Sequence, residues 1–113
     1  MKYEEAKPIS RSDAEVVLKG NDQWAIREVL VGVALTETDW KWVQEACLVQ
    51  ARSADWSTRA VAATCLAHIA RIHRALDFDR ALPALYALRD DPRTVAYAND
   101  ALDDIDHYLG LPR

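Results

Sequence analysis

Apolar residues recur at three- and four-residue steps along most of this chain, and no segment alternates regularly between apolar and polar positions. Steps of three and four place side chains on one face of an α-helix, whereas regular alternation is typical of a strand. The pattern therefore predicts an all-α fold. Residues 1–9 precede the first periodic segment and are predicted to form a loose N-terminal arm.

Polar residues that favour helix starts divide the periodic part into six predicted helices. Their side chains accept hydrogen bonds from the unpaired backbone amides of a first turn. Four of these starts are marked by an aspartate: Asp22, Asp39, Asp55 and Asp77. The first helix is expected to begin with a capping box of Ser12 and Glu15, and Asp91-Pro92 is expected to open the sixth.

The six predicted helices form three consecutive pairs, at about 11–37, 39–75 and 77–110, in a single domain spanning 1–113. When the second helices are aligned on Asp22, Asp55 and Asp91, small residues recur at matching positions, among them Gly32 and Cys65. Neighbouring helices are expected to approach closely there. Pairs of this length bury their apolar faces by stacking, which predicts a short α-solenoid of three antiparallel helix pairs.

Several segments carry a family resemblance. ADWSTRAVAATCLAHIA (54–70) and ALRDDPRTVAYANDALDDI (87–105) resemble the second helices of HEAT repeats, and LPALYAL (82–88) resembles a first helix with its bending proline. The tract 39–73 is also similar to small HEAT-like immunity proteins of bacterial polymorphic toxin and contact-dependent growth inhibition (CDI) systems. This resemblance implies a protein-binding domain whose partner is a cognate toxin.

Composition and charge narrow the classes of partner. The chain has 113 residues, is 50% hydrophobic and carries a formal net charge of −4, which argues against a nucleic-acid binder. Residues 77–113 hold eight acids and four bases, so the excess negative charge lies in the last third and favours a partner with a basic surface. No apolar run is long enough for a membrane span, and acids occupy the place of a secretion signal, so we expect a cytoplasmic protein.

Residues that could carry chemistry are few. His68 and His73 are five positions apart, about 140° around a helix, so they do not form the one-face pair that a helical zinc site needs. Cys47 and Cys65 are expected to be reduced core residues. No serine, threonine or cysteine stands in a glycine-rich elbow, and three scattered glycines cannot cradle a phosphate. We therefore expect no enzymatic activity, no metal and no cofactor.

The candidate partner-binding residues are acidic or aromatic. Like charges at these helical spacings repel one another, so the aspartates of the last helix are either a solvated face, a docking surface or, least favoured, an acid/base pair. Trp24, Trp40 and Trp56 stand in first turns; Trp40 and Trp42 lie about 200° apart, so at least one should be exposed. The candidates are Trp40, Trp56, Tyr97, Asp100, Asp103, Asp104 and Asp106, with His68 and Arg71 as weaker ones.

Three functions remain open from the sequence. The favoured one is an immunity protein that covers the active site or substrate groove of a toxin, whose basic cleft, if it is a nuclease, would meet carboxylates in place of phosphates. The second is a HEAT-like adaptor or scaffold protein. The third, a HEAT-like DNA-processing enzyme, has a precedent in the fold of some DNA glycosylases, but the acidity weighs against it. The oligomeric state is left open.

Overall fold

Six helices account for most of residues 8–112, the part of the chain that the computed structural model describes. They are α1 (Arg11–Leu18), α2 (Gln23–Thr36), α3 (Trp40–Gln50), α4 (Trp56–His73), α5 (Phe78–Arg89) and α6 (Val95–Leu109). No strand occurs in residues 8–112, and the predicted all-α class is confirmed. Residues 1–7 of the predicted arm lie outside the described part, whereas Ile9 packs against the core.

Aspartate side chains begin α2 to α5, as the sequence predicts. In each case a carboxylate oxygen accepts a hydrogen bond from a first-turn amide, which otherwise has no partner within the helix. The four bonds are Ala25 N to Asp22 (3.1 Å), Trp42 N to Asp39 (3.2 Å), Thr58 N to Asp55 (3.1 Å) and Asp79 N to Asp77 (3.1 Å). Pro83 lies inside α5, and the helix still begins directly after Asp77.

Helix α1 begins at Arg11, as predicted, but its predicted cap is wrong by two residues. Ser10, not Ser12, is the N-cap, and its Oγ accepts a hydrogen bond from the amide of Asp13 at 3.1 Å. The expected capping box of Ser12 and Glu15 therefore does not form, because Ser12 already lies inside the first turn.

The predicted start of α6 at Asp91-Pro92 is also wrong, because residues 91–94 form a turn and the helix begins at Val95. An oxygen of Asp91 accepts a hydrogen bond from the amide of Arg93 at 2.9 Å. The buried hydroxyl of Thr94 donates to the carbonyl of Leu88 at 2.6 Å. The Thr94 bond ties the turn to the end of α5, so the Asp-Pro pair belongs to the connection between α5 and α6 and does not open α6.

The helices pack in two layers. In the even-helix layer, α4 lies between α2 and α6, while α3 and α5 are neighbours in the odd-helix layer, which α1 completes. Helices of one layer contact those of the other within each consecutive pair: α1 with α2, α3 with α4, and α5 with α6. The identity of these pairs as HEAT repeats stays a prediction.

The core lies between the two layers and is centred on α4. The largest fully buried aliphatic side chains come from four helices: Ile26, Leu30, Leu66, Ile69, Leu85 and Ile105. Where α4 meets its neighbours the buried residues are mostly alanines, including Ala60, Ala63 and Ala67 on α4 and Ala98 and Ala101 on α6. Small side chains let helix axes approach closely, so α4 can touch four neighbouring helices at once.

Gly32 is an exception to the predicted pattern of small residues at close approaches. A β-carbon added at Gly32 would meet no heavy atom within 4 Å, and the residue is half-buried on the outer side of α2. No neighbouring helix explains the glycine, so its place in the aligned pattern does not reflect packing. A glycine inside a helix costs stability because the unfolded chain loses more conformational freedom on folding.

We expect Gly32→Ala to raise the free energy of unfolding by roughly 0.5–1 kcal/mol, because alanine favours the helix and meets open space. Urea denaturation of the two proteins measures the difference. Gly110→Ala is the matched control, since Gly110 has a φ of +74°, where a β-carbon is strained, and it should lower stability instead. A Gly32→Ala protein that is less stable than wild type would contradict the assignment of open space.

Candidate partner-binding surface

Two arginine–aspartate ion pairs join the N-terminal ends of the even helices. Nη1 of Arg27, on α2, lies 2.7 Å from Oδ2 of Asp55, the N-cap of α4. Nη2 of Arg59, on α4, lies 2.8 Å from Oδ2 of Asp91, in the turn before α6. Each arginine thus reaches from one even helix to the start of the next, so the same ends of all three helices lie side by side.

Around Asp55 this link is reinforced by a buried hydroxyl. Oγ1 of Thr58 lies 2.8 Å from Oδ2 of Asp55 and 2.7 Å from Oε1 of Gln23, on α2. The hydrogen bonds from Thr58 hold the pKa of Asp55 below its usual range, and the cation of Arg27 adds to the effect. The amide of Arg93, followed by the Arg59 guanidinium, lowers the pKa of Asp91 in the same direction.

Three of the predicted site residues, His68, Arg71 and Asp104, come together where α4 packs against α6. Arginine can only donate, so Nη2 of Arg71 donates to Nδ1 of the half-buried His68 at 3.2 Å. Burial, and then the cation of Arg71, lower the pKa of His68, while the nearby carboxylate of Asp104 acts in the opposite direction. Asp100 lies one turn before Asp104 on the same side of α6. This surface therefore carries both signs of charge.

The other two predicted carboxylates lie on a different side of α6. Asp103 and Asp106 line a groove of about 380 Å³ between α5 and α6, together with Tyr86 and Arg89. Oδ1 of Asp106 also accepts a hydrogen bond from the amide of Leu111 at 2.8 Å. Successive residues of a helix are rotated by about 100°, so the four aspartates do not share one face.

The aromatic candidates divide between the two layers. In the even-helix layer, Trp56 is 38% exposed and Tyr97 is 44% exposed. In the odd-helix layer, Trp40 and Trp42 are both partly buried against the core. The expectation that one of these two is exposed is wrong, because the Arg11 guanidinium covers the Trp42 ring at 4.8 Å and both rings pack on the core.

Trp24 has the most exposed aromatic side chain among the described residues, at 65%, and it was not among the predicted site residues. Its position in a first turn was visible in the sequence. Its exposure was not, because the apolar pattern of α2 does not show which residues the neighbouring helices cover.

The remaining groups offer little for catalysis. Cys47 and Cys65 are free and buried, as predicted, and a hydrogen bond with Cys65 together with burial raises the pKa of the Cys47 thiol. Residues 8–112 contain no group of three or more histidines, cysteines or acids that could hold a metal ion. Within the same residues no helix is long and apolar enough to cross a membrane.

Over residues 8–112 the protein is all-α with six helices, and the even-helix layer carries a surface of exposed aromatic and charged side chains. A chain in the crystal structure of a CDI complex from Cupriavidus taiwanensis LMG 19424 matches this fold with a TM-score of 0.83. The two chains are 31% identical, and the match covers 96% of this chain and 97% of that chain. The protein belongs to the same family as that chain, and the predicted kinship with proteins of CDI systems is confirmed.

Two further comparisons gave no match. No protein-family model matches the sequence, and neither does any curated protein.

We expect Asp55→Asn to destabilise the protein more near neutral pH than in acid. Asparagine keeps an N-cap side chain but loses the charge. Because the folded pKa of Asp55 is lowered, its carboxylate stabilises the fold above the unfolded pKa, and this contribution is lost as pH falls through the folded pKa. Urea denaturation from about pH 7 to about pH 2 should show the difference from wild type shrinking. A difference that is constant across this range would contradict the ion pair and hydrogen bonds described above.

Proposed function

We propose that this protein is an immunity protein, which binds a cognate bacterial toxin and neutralises it by covering its active site or substrate groove. The observation that carries the proposal is the match over nearly the whole length, at 31% identity, to a chain of a CDI complex. An immunity protein acts by binding alone, so the proposal needs a surface for a partner and no catalytic group, metal or cofactor.

The binding surface in this proposal is the outer side of the even-helix layer. There Trp56 and Tyr97 supply aromatic area, and Asp100 and Asp104 supply negative charge beside it. Exposed aromatic residues are frequent anchors of protein interfaces, where they slow dissociation. Carboxylates near such anchors speed association with a basic partner through long-range attraction. Together these two contributions suit a protein that must capture its partner quickly and hold it.

The charges indicate the kind of toxin surface that fits. Asp100, Asp103 and Asp104 are all exposed, and among residues 8–112 they form no ion pair within 4 Å with a lysine or arginine. A basic cleft that binds nucleic-acid phosphates would be complementary to them, which favours a nuclease as the toxin. Arg71 and His68 lie beside Asp104, so the partner's matching surface carries an acceptor or acid at that point. Such mixed charge restricts the choice of partner.

Two of the predicted residues play smaller parts. Trp40 is partly buried in the odd-helix layer, away from this surface, so it acts through the core. Asp106 accepts a hydrogen bond from the Leu111 amide. Together with Asp103 it adds negative charge on the side of α6 that faces α5. The proposed site of action is the cytoplasm, where a nuclease toxin would find its substrates.

The direct test uses the polypeptide encoded next to this protein's gene. We expect the two purified proteins to form a stable complex, and growth of cells that express the polypeptide to be restored when this protein is co-expressed. A complex that leaves toxicity unchanged would indicate an adaptor instead. Absence of any complex with neighbouring gene products would reject the immunity function.

Charge reversal tests the role of α6. The double variant Asp100→Lys/Asp104→Lys should associate with the polypeptide roughly tenfold or more slowly at low salt, because attraction becomes repulsion. The matched control Asp13→Lys/Asp79→Lys changes the net charge equally on α1 and α5 of the odd-helix layer and should have a much smaller effect. Stopped-flow or surface-based kinetics measures both rates, and equal slowing of the two variants would show that only net charge matters.

A further inference from the structure

We infer that the partner-binding surface extends across all three even helices along an aromatic rim of Trp24, Trp56 and Tyr97, which takes basic side chains of the partner on its rings. The inference rests on the proposed function and deepens it, because it names the chemistry of the partner's contact and adds Trp24, the residue that the sequence did not indicate. The partner is a protein whose lysine or arginine side chains face this rim.

The three residues of the aromatic rim all lie in the first turn of an even helix. Trp56 is the first residue of α4, Trp24 the second of α2 and Tyr97 the third of α6. The pairs Arg27–Asp55 and Arg59–Asp91 hold these ends of the helices together. The aromatic residues therefore lie at the same end of the even-helix layer.

The backbone beneath the rim is fixed by polar contacts. Gln23 precedes Trp24, and Asp55 precedes Trp56; both side chains lie within hydrogen-bond distance of the Thr58 hydroxyl, at 2.7 and 2.8 Å. An anchor on an ordered backbone loses little conformational freedom when a partner binds. The rim is thus preorganised although its rings are exposed.

The other tryptophans and tyrosines of the described residues already have a cation of this chain over the ring. The pairs are Arg11 with Trp42, Lys41 with Trp40, Arg74 with Tyr108 and Arg89 with Tyr86, at 4.8 to 5.8 Å. Among residues 8–112 no lysine or arginine covers Trp24, Trp56 or Tyr97 in this way. The ring faces of the rim are therefore open to cations from another molecule.

Carboxylates next to the rim match the same kind of partner. Asp100 lies one turn after Tyr97, and Glu28 lies one turn after Trp24. A guanidinium or ammonium group that stacks on either ring can reach the neighbouring carboxylate, so each position combines a cation–π contact with an ion pair. An aliphatic partner surface would leave these carboxylates without a counter-charge, which is why a basic partner fits best.

The test measures the affinity of rim variants for the purified polypeptide encoded next to the gene, by isothermal titration calorimetry. Trp24→Ala should weaken binding about thirtyfold or more, as loss of a hot-spot tryptophan does. Trp24→Phe should retain more affinity than Trp24→Leu, because phenylalanine keeps an aromatic face and leucine does not. Circular dichroism should show all three variants folded, because the side chain of Trp24 is mostly exposed.

Val49→Ala is the matched control. Val49 is 60% exposed on α3, in the odd-helix layer, and its truncation should change the affinity by no more than about twofold. If Trp24→Ala binds the polypeptide as tightly as wild type does, binding through the aromatic rim is rejected while the proposed function stands. Equal losses in Trp24→Phe and Trp24→Leu would overturn the cation–π chemistry. Failure of wild type to bind the polypeptide would overturn the proposed function and the rim together.

Discussion

The rest of the structure depends on the close packing of α4 between its neighbours. This helix contacts α2, α3, α5 and α6, and nine of its eighteen residues are buried. Only small side chains allow that, and five of the nine are alanines: Ala60, Ala62, Ala63, Ala67 and Ala70. A larger residue at such a position would push a neighbouring helix away, with a cost of roughly 1–3 kcal/mol. Packing against four helices also leaves only a narrow stripe of α4 accessible to a partner, and this stripe includes His68 and Arg71.

The aspartate caps connect this packing to the binding surface. Asp55 is the N-cap of α4. Its carboxylate accepts a hydrogen bond from the amide of Thr58 in the first turn and forms an ion pair with Arg27 of α2. A single carboxylate thus sets where α4 begins and which residue of α2 lies beside that start. Arg59 repeats the link toward Asp91, although Asp91 belongs to a turn and not to a helix cap. Because the ends of the even helices are aligned in this way, the aromatic residues in their first turns lie at the same end of the layer.

The sequence predicts helices better than surfaces, and particular residues show why. Four aspartate starts were correct because an N-cap acts through local hydrogen bonds that spacing alone reveals. The predicted helix start at Asp91 was wrong. Its carboxylate accepts a hydrogen bond from the amide of Arg93 within a turn and forms an ion pair with Arg59, which is distant in sequence. The predicted close helix approach at Gly32 was wrong, because periodicity cannot distinguish a glycine that faces a neighbouring helix from one that faces open space. For the same reason the four aspartates of α6 could be counted from the sequence but not assigned to faces, and Trp24 could be placed in a first turn but not recognised as exposed.

The proposed partner binds the outer side of the even-helix layer. The most direct measurement is a crystal structure of this protein in complex with the polypeptide encoded next to its gene. We expect Trp24, Trp56, Tyr97 and Asp100 to be buried in the interface, with arginine or lysine side chains of the partner against the rings. An interface centred on the odd-helix layer, for example on the groove of about 340 Å³ that Leu18, Trp42 and Val49 line between α1 and α3, would contradict this expectation.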